Sequence, residues 1–146
     1  MYVKIYNVEI IMKVLSIQEP YASLIANGYK YIETRSWKTK YRGEILIHAS
    51  LGKKLMSKID DPDVIKIINN INMNYGKIIC KADLIDCIYM DENFIDKIKE
   101  NVEEEKLGIY EIGRYAWILD NIEIIKNPIE AKGKLNLWEY ENEYRI

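Results

Sequence analysis

Gly28-Tyr29-Lys30-Tyr31-Ile32-Glu33-Thr34-Arg35, followed directly by Ser36 and Trp37, is the stretch on which the fold turns. Glycine enters the left-handed conformation without a Cβ penalty, so Gly28 is suited to close a helix. Tyr31, Ile32 and Thr34 favour an extended backbone. The segment therefore reads as the end of a helix passing into a strand. Side chains two apart on a strand share a face, which brings Glu33, Arg35 and Trp37 together. Lys30 stands at the junction, where a turn aims it independently. An ammonium, a carboxylate, a guanidinium and an indole so close in sequence suit a flat polar ligand such as a nucleobase or nucleotide. The simpler reading of the same spacing is a solvated surface pair between Glu33 and Arg35.

Upstream, Val14, Leu15 and Ile17 form a short strand, and Pro20 suits the first position of a helix. Tyr21, Leu24 and Ile25 recur on one face of that helix, which Asn27-Gly28 ends. Its orphan amides near Gln18 can receive an anion, or be satisfied by water and Glu19. Downstream, Lys38, Lys40 and Arg42 alternate with Thr39 and Tyr41, the mixture of cations and aromatics that holds single-stranded nucleic acid. The same loop reads equally well as solvated. From Glu44 to Ser50 a strand carries Ile45, Ile47 and Ala49 on one face and Leu46, His48 and Ser50 on the other. Ser50 is also placed to cap a helix starting at Leu51.

The remainder is scaffold. Lys53 to Ile59 and Asp63 to Ile71 read as helices parted by Asp61-Pro62, with Val64, Ile67, Ile68 and Ile71 as a packing stripe. Lys77 to Tyr89 is the longest strand, with Ile78, Cys80, Ala82 and Leu84 toward the core and Ile79, Lys81, Asp83 and Ile85 opposite. Asp91 to Leu107 is a helix whose Glu103-Glu104-Glu105 run repels phosphate, which places it away from a ligand. Gly113 to Ile125 is a further strand, or a bent pair, carrying Trp117 as a core residue. A final turn and strand run through Pro128, Gly133 and Leu135 to Trp138, and the charged tail from Glu139 to Ile146 is expected to fray.

A chain of 146 residues, nearly half of them hydrophobic, builds one core without staples. The first eleven residues read as an extension, either adding an edge strand or disordered, and a single domain runs from residue 12 to 146. A net charge of −2 argues against broad binding of duplex DNA, which needs an extended basic face. No apolar run approaches the roughly 20 residues that span a bilayer, so no membrane partner is expected. With His48 as the single histidine and no C-x-x-C spacing, no metal site is expected either. Seven residues apart on one strand, Cys80 and Cys87 should face opposite sides and stay reduced, as buried thiols of a cytoplasmic protein do.

The spacing Gly28-x-Lys30-x-x-Glu33-x-Arg35 resembles the G-x-K-x-x-E-x-R signature of the ASCH (ASC-1 homology) domain, a branch of the PUA-like superfamily. Leu15-Ser16-Ile17-Gln18-Glu19-Pro20-Tyr21-Ala22, Gly43-Glu44-Ile45-Leu46-Ile47-His48-Ala49-Ser50 and the stretch from Pro128 to Trp138 resemble further family blocks in the same order. The resemblance implies an α+β fold, a PUA-like mixed β-barrel of about five or six strands with several packed helices. It also implies a cleft beside the signature that binds RNA, a nucleotide or a modified nucleoside, without a cofactor. The ligand-facing candidates are Gln18, Lys30, Glu33, Arg35, Trp37, Tyr41, Arg42, His48 and Ser50. Two alternatives stand beside binding. One is a hydrolase of modified nucleosides or RNA, in which Lys30 and Glu33 supply the catalytic groups. In the amidohydrolase branch a threonine stands three residues after the lysine, where this chain has Glu33, and a lone His48 cannot supply a ribonuclease histidine pair. The other alternative is a protein-interaction module without a nucleic-acid ligand, contacting its partner through the acidic helix or the N-terminal extension.

Overall fold

The computed structural model describes residues 7–145, with side-chain surroundings for residues 10–141. Its strands are β1 (Asn7–Ile17), β2 (Ile32–Arg35), β3 (Gly43–Ala49), β4 (Lys77–Tyr89), β5 (Tyr115–Glu130) and β6 (Leu137–Arg145). The helices are α1 (Tyr21–Ala26), α2 (Pro62–Ile68), α3 (Glu92–Glu100) and α4 (Val102–Lys106), with one 3-10 turn at Met56–Lys58. The strands form a single mixed sheet in the order β2-β5-β4-β3-β1-β6. Only β1 and β3 run parallel; every other neighbouring pair is antiparallel.

The α+β class is as expected, but the sheet is open where a mixed barrel closing most of its edges was expected. Its edge strands β2 and β6 do not pair with each other, and β2, four residues long, bonds only β5. The sheet nevertheless curls. Arg35 on β2 donates a hydrogen bond to the carbonyl of Ser16 on β1, four places away in strand order. Helix α1 fills the hollow so formed. Ala22, Ser23, Leu24, Ile25 and Ala26 are all buried, with Ala22, Ile25 and Ala26 packed among Leu15, Ile47, Cys80 and Trp117. Trp117 is a core residue, as its sequence context suggested, and has no exposed surface.

Strand β4 departs from simple alternation. Ile47 pairs with Cys80 but His48 with Ile78, so Ile79 is an extra residue opposite β3. Leu84 pairs with Leu119 but Asp86 with Ile118, so Ile85 is an extra residue opposite β5. Each extra residue reverses which face the next side chain takes. Ile79 and Cys80 therefore both reach the main core, and beyond Ile85 so does Cys87, rather than facing the opposite side. Both thiols are free, and burial pushes the Cys80 thiol up to about 12.

Several boundaries move. Pro20 occupies the N-cap of α1 after a cis peptide, one position earlier than expected. The Lys53–Ile59 region holds only the 3-10 turn. Asp61 caps α2 by accepting hydrogen bonds from the amides of Asp63 and Val64. The expected long helix breaks at Asn101, whose side chain caps α4. Of the expected extension, Asn7 to Ile11 belongs to β1, while residues 1–6 lie outside the described residues. The tail expected to fray is β6, paired with β1 from Asn7↔Arg145 to Leu15↔Leu137; Ile146 lies outside the described residues. No helix among the described residues is long and apolar enough to cross a membrane.

A chain starting at Met12 lacks the β1 residues that pair with Glu141 to Arg145. Loss of those ladder hydrogen bonds is expected to cost about 2 kcal/mol or more, roughly 5 °C in Tm. A thermal melt of the truncated chain checks this; an unchanged Tm would make the first eleven residues a true appendage.

Candidate functional site

A cleft of about 650 Å³ lies where the gap between β2 and β1 meets the end of β3 and the 131–136 turn joining β5 to β6. Of the nine candidates, seven line it: Gln18, Lys30, Glu33, Arg35, Trp37, His48 and Ser50.

The signature enters as its sequence suggests. Gly28 has φ +80°, and the amides of Gly28 and Tyr29 bond back to the carbonyls of Ile25 and Leu24, closing α1. The turn then directs Lys30 inward until only 2% of it is exposed. Its Nζ donates to the carbonyl of Ile32 and lies 3.5 Å from Glu104 Oε1. Glu104, equally buried, also accepts from the Ile32 amide at 3.0 Å and from the Tyr110 hydroxyl at 2.9 Å. Burial lowers the pKa of Lys30, against the raising effect of Glu104; burial and the Glu104 charge both raise that of Tyr110. The acidic run expected to lie away from the site thus sends its middle member directly behind the signature.

Glu33 and Arg35 do pair, at 3.1 Å, but inside the cleft wall rather than in solvent. Glu33 is 8% exposed, and its other oxygen accepts from the Thr34 amide. Arg35 Nη2 donates a hydrogen bond to the Ser16 carbonyl while ion-paired with Glu33. Trp37 packs edge-on against Trp117 at 4.7 Å. The polar atoms of Lys30 and Glu33 are thus committed to holding strands, a poor arrangement for a general base.

The other candidates divide. Gln18 Oε1 accepts from the Leu55 amide, while the start of α1 is satisfied by the buried Glu19 carboxylate, which accepts from the Ser23 amide and hydroxyl. No anion is needed there. Ser50 caps no helix; its amide donates to the Ile17 carbonyl and it faces the cleft. Tyr41 and Arg42 lie outside the cleft. The Tyr41 ring packs on the main core and its hydroxyl donates to Glu44 O, whereas Arg42 bonds the carbonyls of Thr39 and Tyr41 and lies near Asp86.

The sequence reading missed Arg114, Lys132 and Lys134, all of which line the cleft. Arg114 donates to the carbonyl and hydroxyl oxygens of Thr34. A signal for the lysines was present, since Lys132 and Lys134 flank Gly133 in the last family-like block, but nothing local placed that turn opposite the signature. Among the described residues, neither Arg114, Lys132 nor Lys134 has a salt-bridge partner. The cleft therefore carries uncompensated positive charge within a chain of net charge −2. No group of three metal-ligating side chains occurs among the described residues.

An open mixed sheet with the G-x-K-x-x-E-x-R strand at its edge and a cleft beside it defines a class, and the ASCH domain profile matches residues 15–143. The chain belongs to the ASCH domain family. Activating signal cointegrator 1 of Homo sapiens is 25% identical to it over 137 residues, covering 88% of this chain and 22% of that protein. The Mus musculus protein of the same name is 24% identical over the same length. The chain thus spans about a fifth of the length of these curated relatives.

Glu104→Ala leaves the Lys30 ammonium buried without its counter-charge, a loss expected to cost about 3–5 kcal/mol. Lys30→Met combined with Glu104→Leu removes the uncompensated charge but leaves the Ile32 amide and carbonyl unpaired, so it should recover only part of the loss. Urea denaturation of the single and double variants measures the difference; equal stability of Glu104→Ala and the parent would remove the pair from the account of the fold.

Proposed function

We propose that this chain binds RNA or a nucleotide in the cleft beside the signature. The observation that carries the reading is the concentration of cations with no salt-bridge partner among the described residues, Arg114, Lys132 and Lys134, around a cavity of about 650 Å³ in an otherwise acidic chain. Phosphate oxygens suit guanidinium and ammonium donors. The second lone pairs of the Glu33 carboxylate oxygens, each already engaged once by the scaffold, accept from base amino groups, Arg35 meets phosphate or carbonyl oxygens, and Trp37 offers a ring for stacking. The concave shape fits a mononucleotide or an unstacked base rather than a rigid duplex. Membership of the ASCH family supports RNA as the ligand class. Binding is proposed in preference to hydrolysis because Lys30 and Glu33 have their polar atoms engaged by the scaffold. A second reading, contact with a protein partner, draws on the cointegrator name of the relatives.

The test is a thermal-shift series with nucleosides, nucleotides and short single-stranded RNAs on the parent, Arg35→Ala and Arg114→Ala. A ligand at a hundred times its Kd adds about 2.7 kcal/mol, several degrees in Tm. The parent should shift and Arg114→Ala should lose most of the shift while remaining folded. No shift with any ligand would sink the nucleotide reading and favour a protein partner.

A further inference from the structure

Four strands meet at one polar chain at the base of the cleft. Trp138 Nε1, on β6, donates to Ser16 Oγ, on β1, at 3.0 Å. Ser16 Oγ lies 3.0 Å from His48 Nδ1, on β3, and His48 Nε2 lies 2.8 Å from the carbonyl of Ala131, just after β5. The directions of these bonds follow from the chemistry of the ends. An indole N–H only donates and a carbonyl oxygen only accepts. In the neutral imidazole the hydrogen therefore sits on Nε2, and Nδ1 carries a lone pair. His48 is 1% exposed, so that lone pair must be met internally, and the Ser16 hydroxyl is the donor that meets it. Ser16 Oγ consequently gives its hydrogen to His48, takes one from Trp138, and keeps a single lone pair.

The surroundings hold this arrangement fixed. His48 and Trp138 pack edge to face at 5.7 Å. Gly133 lies so close over them that a Cβ there would stand 2.8 Å from His48 Cε1 and 3.0 Å from Ser16 Oγ. Turning the Ser16 hydrogen into the cleft would leave the buried His48 Nδ1 lone pair facing a lone pair of Ser16 Oγ, with no donor. Its neighbours in the cleft complete a pattern. Glu33 is a second acceptor, whereas Gln18, whose oxygen is taken by the Leu55 amide, presents its NH₂.

We infer that Ser16 is a fixed hydrogen-bond acceptor which selects bases with an amino group at C4 of a pyrimidine or C6 of a purine, cytosine and adenine, over the bases with an oxo group there, uracil and hypoxanthine. This deepens, and rests on, the nucleotide reading of the cleft. An amino group gives Ser16 a hydrogen and leaves the adjacent ring nitrogen as an acceptor for the donors nearby. An oxo group in the same place sets lone pair against lone pair, and its ring N–H meets donors. A buried acceptor left facing an acceptor loses its bond and its hydration together.

The experiment compares CMP with UMP and AMP with IMP by titration calorimetry on the full chain, with single-stranded oligo-C and oligo-U as a second arm. The amino partner of each pair should bind about tenfold tighter or more. Preference among mononucleotides identifies a free nucleotide as the ligand; preference only among oligomers identifies RNA; either supports the inference. Equal binding within every pair, oligomers included, or preference for the oxo base, overturns it while leaving the nucleotide reading intact. Failure of every mononucleotide and oligomer to bind overturns both. Ser16→Ala should reduce the amino preference to about twofold or less, and Ser16→Thr, which keeps the hydroxyl, should retain it. Ser16→Ala also strips His48 and Trp138 of a partner, so the ligand comparison on the parent chain decides the matter even if that variant does not fold.

Discussion

The guanidinium of Arg35 joins two strands that share no ladder. β2 is held to the sheet through β5 alone, and Arg35 extends from it to the Ser16 carbonyl on β1 while remaining paired with Glu33. A charged donor bonded to a carbonyl and a carboxylate is stronger than a neutral hydrogen bond and keeps its geometry. It lets the sheet curl around α1 without closing, and the gap it spans is the cleft. Replacing that bridge by a full β2–β1 ladder would make a tidier barrel with no opening at this place.

The signature thus divides its labour. Gly28 supplies the backbone reversal, Lys30 and Glu104 form a buried post beneath the start of β2, and Glu33 positions Arg35. A buried ion pair is weak evidence for net stability, since an apolar pair of similar volume often serves as well. What this one does is satisfy the amide and carbonyl of Ile32 at the point where the chain enters an edge strand, which an apolar pair cannot. In the binding we propose, contact with a ligand falls largely to side chains outside the motif, on the approach to β5 and on the turn before β6.

Much of this was legible in the sequence because it is local. The left-handed Gly28, the shared face of Glu33 and Arg35, the extended runs of β3 and β4, and Trp117 in the core all follow from residue type and period. The errors arose where one strand's fate depends on another. The bulges at Ile79 and Ile85 appear only in the register against β3 and β5, and they turned Cys87 inward. Glu104 reads as one more charge in an acidic run until Lys30 is found behind it. Tyr41 and Arg42 had the composition of a ligand loop, yet nearby carbonyls and the core claim them. Arg114, some 79 positions from Arg35 in sequence, reaches the cleft only because β5 pairs with β2. The end of the chain looked too charged to be ordered, but β6 is an edge strand, where charge on the outer rim is the usual protection against unwanted pairing.

That same last strand bears on how the chain reaches its shape. The β1–β6 ladder joins Asn7 to Arg145, so it closes a loop nearly as long as the described chain. The β3–β4 and β4–β5 hairpins close much shorter ones. Loop entropy grows with separation, and pairing of distant segments is slow to nucleate. The hairpins around β4 can form early, but Trp138 and the 131–136 turn take their places only when β6 docks. The floor of the cleft is therefore among the last features of the molecule to assemble, and a chain arrested before that step would have its core largely in place and no site.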